Sequence, residues 1–66
     1  MKNDLKVQRA IFNITQEDLA NKVSVSRQTI HAIESNKYIP STTLAIKIAK
    51  VFGRGVEEIF ILEESD

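Results

Sequence analysis

Residues that start or stop helices recur at short intervals along the whole chain, and the segments between them carry apolar side chains at helical spacing. Asn3, Thr15, Ser26 and Ser41 have the side-chain oxygens that accept from the free amides at a helix N-terminus. Asn36 tolerates the left-handed backbone that ends a helix, Pro40 forbids helix through the loop around it, and Gly53 and Gly55 stop whatever precedes them. Such punctuation leaves room only for a bundle of short helices, so the predicted class is all-α.

Five helices are predicted. The first runs from about Asp4 to Phe12, with Asn3 as its cap and Leu5, Val7, Ile11 and Phe12 as its apolar members; Gln8 interrupts that stripe. The second opens at Thr15, where an acid three residues on, Asp18, favours the positive helix end, and it turns Leu19, Ala20 and Val23 inward. Ser24-Val25 breaks the pattern before Ser26 caps a third helix, Arg27 to about Ser35, with Ile30 and Ile33 on its apolar side. Ser41 caps the fourth, whose Leu44, Ile46, Ile48, Ala49, Val51 and Phe52 form the most apolar stretch of the chain. A short fifth helix, Val56 to Phe60, precedes Ile61-Leu62, a short terminal strand that pairs with residues 1 to 4.

At 66 residues the chain is read as one domain, 1–66, near the lower limit at which an apolar core alone outweighs conformational entropy. With no cysteine it has neither disulfides nor thiolate metal sites, which points to the cytoplasm. No apolar run approaches the roughly 20 residues of a membrane span, and Met1 to Asp4 does not lead into a secretory stretch. No cofactor or metal is expected: His31 is the only histidine, and the carboxylates Glu57, Glu58, Glu63, Glu64 and Asp66 read as a solvated acidic face. Nothing combines a nucleophile with a base or cradles a phosphate in glycines, so the chain is read as a non-enzyme.

A formal charge of zero argues at first against a nucleic-acid partner. The average conceals a polarity. Residues 1 to 55 hold all nine bases and four acids, a net of +5, while residues 56 to 66 hold five acids and no base, a net of −5. One end suits phosphate, although an acidic tail on an ordinary domain would give the same asymmetry.

Two short helices joined by a tight turn around Ser24, the second with an apolar back and a polar front, are the arrangement that sends one helix into a major groove. Ala20 supplies the small side chain needed where the helices approach, and Val25, Ile30 and Ile33 lock the second against the first. The outward face of the third helix then presents Ser26, Arg27 and Gln28, with His31 a turn later. Arginine bonds guanine O6 and N7 in bidentate fashion, and glutamine does so with adenine N6 and N7. A solvated helix face would account for each of these residues singly; their position in the motif favours base reading of double-stranded DNA.

The segments Thr15-Gln16-Glu17-Asp18-Leu19-Ala20, Val25-Ser26-Arg27-Gln28-Thr29-Ile30 and Ile33-Glu34 resemble the Cro and phage-repressor type helix-turn-helix family, with the helix-turn-helix unit at about residues 16–35. Asn36 to Ser41, Leu44 to Ala49 and Glu57 to Phe60 resemble a compact bacterial and archaeal subgroup consisting of little beyond this domain. The resemblance implies a transcriptional regulator. It also implies that Gln16 opens helix two beside the DNA backbone and braces Arg27, that Arg27, Gln28 and His31 face bases, and that Ser26, Thr29, Asn36, Lys37 and Tyr38 lie near phosphates. Arg9 and Glu34 match a structural ion pair between helices one and three.

Three positions depart from the family. Ser24 replaces the usual turn glycine, and Gln8 and Thr42 stand where leucine is common. A buried glutamine without partners costs roughly 1 to 3 kcal/mol, and a slight rotation of helix one is expected. The apolar C-terminal end, about residues 52–62, is expected to form a homodimer through Val56, Ile59, Phe60 and Leu62, so that two recognition helices about 34 Å apart read an inverted-repeat operator and repress. The competing reading is an antitoxin-like or adaptor module that meets a protein partner through the same end.

Overall fold

The computed structural model describes residues 1–66. The chain runs β1 (Lys2–Asn3), α1 (Leu5–Phe12), α2 (Gln16–Val23), α3 (Arg27–Glu34), α4 (Thr42–Phe52), α5 (Val56–Ile59) and β2 (Phe60–Ile61). Three of the predicted caps are made as read: Thr15 accepts from the Asp18 amide, Ser26 from Thr29 and Ser41 from Leu44. Asp18 returns the bond to the Thr15 amide, which completes a capping box. Left-handed residues end α1, α2 and α4 at Asn13, Ser24 and Gly53, and Asn36 takes the same conformation just beyond α3.

The core is built from one face of every helix. Leu5 of α1, Leu19, Ala20 and Val23 of α2, and Ile30 and Ile33 of α3 close around Leu44, Ala45, Ile48, Ala49 and Phe52 of α4, with Ile59 and Phe60 sealing the far end. Small side chains at Ala45 and Ala49 let neighbouring elements approach α4, which packs on both α2 and α5. Burial of this apolar surface is the main force holding so small a fold.

The terminal pairing is present, with two adjustments. The strands are antiparallel with Lys2 opposite Ile61 and Asn3 opposite Phe60, and the Asp4 amide donates to the Ile59 carbonyl at 2.8 Å. Phe60 therefore leaves the predicted fifth helix for the strand, because its backbone is claimed by the ladder and its side chain by the core. Leu62 lies beyond the pairing and is 78% exposed. The predicted cap of α1 is also shared between two residues: Asp4 holds the cap position, while Asn3 Oδ1 accepts from the Leu5 amide at 3.2 Å.

The apolar stripe read for α1 is mostly outside. Leu5 and Gln8 are buried and Arg9 is partly so, whereas Val7, Ile11 and Phe12 are 52%, 60% and 46% exposed. Leu5, anchored in the core, and Arg9, ion-paired with α3, together fix the angular position of the helix, and Gln8 lies between them in the interior. Gln8 Nε2 donates to Asp4 at 3.2 Å, but its buried Oε1 has no partner. Phe12 remains half-exposed while its ring meets Phe52 edge-on, with centroids 5.3 Å apart. Ile46 and Thr42 both face out of α4, so Thr42 carries no burial penalty. No helix is long and apolar enough to cross a membrane.

Candidate nucleic-acid interface

The turn between α2 and α3 is closed from within. Ser24 adopts φ 60° and ψ 43°, and the amides of Ser24 and Val25 both donate to the Ala20 carbonyl. Ala20 itself is buried, which lets the two helices approach at this point. Val25 packs on the core, Ser26 returns to extended backbone, and its hydroxyl accepts from the Thr29 amide at 3.1 Å. Ile30 and Ile33 then fix the back of α3, so its front is set by register: Arg27, Gln28 and His31 are exposed.

Two open grooves flank that front. One, about 440 Å³, is lined by Arg9, Asn13, Gln16 and Arg27 among others; the second, about 370 Å³, is lined by Ser26, Gln28, Thr29, Ala32 and Tyr38. Arg27 and Gln28 thus project on different flanks of the helix. Tyr38, expected near phosphate, leans toward the α3 face instead of standing apart in its loop. The Ser26 and Thr29 hydroxyls lie 3.0 Å apart and share a hydrogen bond.

The exit from α3 is as tightly organised as its entry. The Asn36 amide donates to the Ile33 carbonyl at 3.0 Å and the Lys37 amide to the Ala32 carbonyl at 2.9 Å. This nested pair, with Asn36 at φ 60°, is a Schellman motif. It fixes the backbone that carries Lys37 and Tyr38 to the helix end while leaving both side chains exposed.

Behind the exposed face lies a polar network. Arg9 Nε and Nη2 donate to the two Glu34 oxygens at 2.6 and 3.0 Å, and Arg9 Nη1 donates to the Ile14 carbonyl at 3.1 Å. Side-chain exposure is 15% for Arg9 and 3% for Glu34, so the pair is largely withdrawn from water. Burial disfavours charge on Glu34, but hydrogen bonds from Arg9 and Gln16 outweigh it and hold the carboxyl below its usual range. Hydrogen bonding to Glu34 raises the Arg9 guanidinium in turn.

Gln16 is engaged through its amide nitrogen. Its amide donates to Glu34 Oε1 at 3.0 Å and stands 3.5 Å from His31 Nδ1, while Arg27 shares only the groove wall with it. The buried carboxylate is the strongest acceptor within reach of the Gln16 amide nitrogen, and the amide oxygen is left to accept from a donor such as Arg27. The network therefore links α1, α2 and the outward face of α3.

The expected dimer residues separate into two kinds. Ile59 and Phe60 are internal, at 0% and 7% exposure, because α5 is too short to present one apolar side to its own core and another outward. Val56 is half-buried and Leu62 exposed, with Ile61 beside it at 47%.

The residues that sequence reasoning missed are Ala32, which floors one groove, and Asn3, whose side chain reaches the end of α3. Ala32 was legible, one turn beyond Gln28 on the same face. No local pattern could bring Asn3 to Ile33.

The family model for helix-turn-helix proteins matches residues 5–59. The chain belongs to that family. Relatives span essentially the same length: it is 62% identical to an HTH-type transcriptional regulator of Methanocaldococcus jannaschii over 66 residues, covering 100% of each chain. It is 48% identical to one of Bacillus subtilis, again over 100% of both, and 50% identical to one of Archaeoglobus fulgidus, covering 100% of this chain and 93% of the relative. Among helix-turn-helix proteins the order of its motifs places it with the Cro and phage-repressor type.

Proposed function

We propose that this chain is a sequence-specific DNA-binding transcriptional regulator that acts as a homodimeric repressor on an inverted-repeat operator. The observation that carries the reading is the front of α3: Arg27, Gln28 and His31 stand exposed on a helix whose back is locked by Ile30 and Ile33. Arg27 reads guanine and Gln28 adenine by bidentate bonds, and His31 meets an acceptor further along the groove. Ser26, Thr29, Asn36, Lys37 and Tyr38 flank that front where phosphates run, and Gln16 joins them at the start of α2.

A second copy meets the first through the C-terminal end. With Ile59 and Phe60 committed to the core, the available contacts are Val56, Ile61 and Leu62, whose apolar exposure is the support for pairing there. The same surface would serve an adaptor, but an adaptor has no use for Arg27, Gln28 and Lys37 on one side.

Selection of bound sequences from a random duplex pool tests the reading directly. An enriched palindrome with half-sites about one helical turn apart is the expected result; a pool that stays random at low ionic strength, with folded protein, refutes it. On the selected site, Arg27→Ala or Gln28→Ala costs roughly 1 to 3 kcal/mol and relaxes one base position, whereas Lys37→Ala weakens every sequence alike.

A further inference from the structure

Asn3 makes more hydrogen bonds than a helix cap requires. Its Oδ1 accepts from the Leu5 amide at the start of α1, which Ser, Thr or Asp would also do. Its Nδ2 turns the other way and donates to the Ile33 carbonyl at 2.8 Å and to Asn36 Oδ1 at 3.2 Å. Ile33 is the penultimate residue of α3, and its carbonyl already accepts from the Asn36 amide. The side chain of Asn3 thus fills the second lone pair of a carbonyl inside the Schellman motif and holds the residue whose left-handed backbone makes that motif turn. Among the short cap-forming side chains, only an amide carries its acceptor and two donor hydrogens on separate atoms, so that it can serve one helix start and two acceptors at another helix end.

The backbone of Asn3 is anchored as well. It pairs with Phe60 in the terminal sheet, the next amide donates to Ile59, and both partners are buried in the core. A rigid strand therefore grips the loop that follows α3. That loop carries Lys37 and Tyr38, and together with Met1, Pro40 and Phe60 it closes a small pocket of about 50 Å³ around Asn3 and Asn36.

We infer that Asn3 is a positioning residue for DNA contact: through Ile33 and Asn36 it sets where Lys37 and Tyr38 meet the backbone, while leaving the base-reading front of α3 unchanged. This rests on the DNA-binding reading above. The front is fixed independently by Ser26, Ile30 and Ile33, so loosening the exit loop costs phosphate contacts and leaves base preference intact.

The test compares the parent with Asn3→Ala, Asn3→Ser and a control, Ile59→Val, by titrating the selected DNA duplex at several salt concentrations, each protein verified as folded by circular dichroism. Asn3→Ser keeps a side-chain acceptor for the Leu5 amide, loses the amide donors to Ile33 and Asn36 and adds no charge, so it preserves the helix start if removal of the whole side chain unfolds the chain. Both Asn3 variants are expected to bind about tenfold more weakly, with a slope of log affinity against log salt shallower by about one, the loss of a single phosphate contact. Ile59→Val, a core change at the same end, keeps the parent's affinity and slope. A folded Asn3→Ser with the parent's affinity and slope overturns the inference, as does a loss of affinity with unchanged slope and relaxed base preference. A parent that binds no duplex refutes the DNA reading and this role together; a parent that binds while Asn3→Ser matches it refutes this role alone.

Discussion

The α2–α3 unit and the terminal region of this molecule are held together in opposite ways. In the unit, the capping bonds join residues three apart, as with Thr15 and Asp18 or Ser26 and Thr29, and the turn closes on Ala20 only a few residues back. At the N-terminal end, the bonds reach 25 or more residues along the chain: Asn3 to Ile33, Asp4 to Ile59, Arg9 to Glu34. The difference teaches that the shape of the recognition element is encoded locally, while its placement on the body is decided by distant partners. The exposed front of α3 can therefore vary in its residues without disturbing what holds it in place.

The sharpest way to break that contrast is to remove one distant partner. Arg9→Ala leaves the Glu34 carboxylate, 3% exposed, without its guanidinium, and the expected loss is about 3 kcal/mol with a fall in melting temperature of more than about 10 °C. Replacing both residues by methionine should recover most of that stability, because the penalty comes from the stranded charge and not from the absence of the pair. A loss below about 1 kcal/mol in urea unfolding of Arg9→Ala would show that the ends contribute little. Acid provides a second probe of the same pair. The Glu34 carboxyl is held below its ordinary 4.5 in the folded chain, so its contribution is fully present above that pH and disappears as pH falls through the lower folded value. Glu34→Gln should flatten this part of the stability profile relative to the parent; identical profiles would exclude Glu34 as its source.

Local bonds should cost less. Thr15→Ala removes the hydroxyl that accepts from the Asp18 amide, leaving only the bond from its own backbone amide to the Asp18 carboxylate, and is expected to destabilise by about 1 kcal/mol, measured by the same urea titration. A loss equal to that of Arg9→Ala would erase the distinction between the two regions. In the opposite direction, Gln8→Leu removes the buried Oε1 that has no partner and fills the same interior position with apolar carbon. A gain near 1 kcal/mol is expected after the bond to Asp4 is forfeited, and destabilisation would mean that this bond outweighs the orphaned oxygen.

The same contrast explains how much could be read from the sequence. Caps and breakers speak about neighbours a turn away, so α2, α3 and α4, their caps and the residues on the front of α3 were legible, as was the left-handed state of Ser24 and Asn36. The rotation of α1 was not, because Val7 and Ile11 satisfy helical spacing as well as Leu5 does, and only the fold, through Leu5 in the core and the ion pair with α3, decides which stripe turns inward. Phe60 was misplaced for a related reason: four residues of helix and two of strand differ little in pattern, and the pairing partner lies at the other terminus. The bond from Gln16 to Glu34 was not legible either, because its partner lies 18 residues on and is brought near only by the fold.

The smallest expected effect tests how far the local code is optimised. Four residues end or follow helices with φ near +60°: Asn13, Ser24, Asn36 and Gly53. Glycine takes that conformation without a Cβ clash and asparagine tolerates it through its short polar side chain, but serine at Ser24 carries a cost of roughly 1 to 2 kcal/mol. Ser24→Gly relieves that cost and adds conformational freedom to the unfolded chain worth roughly 0.5 to 1 kcal/mol against it. The Ser24 side chain is exposed and the two turn bonds to Ala20 are made by backbone amides, so glycine forfeits no contact. The balance predicts stabilisation of about 0.5 kcal/mol in thermal unfolding, with affinity for the selected duplex unchanged because Ser26, Ile30 and Ile33 still set the angle of α3. A lower melting temperature would show that Ser24 holds the turn through its side chain, and a change in base preference would show that the turn, and not the buried back of the helix, aims the recognition face.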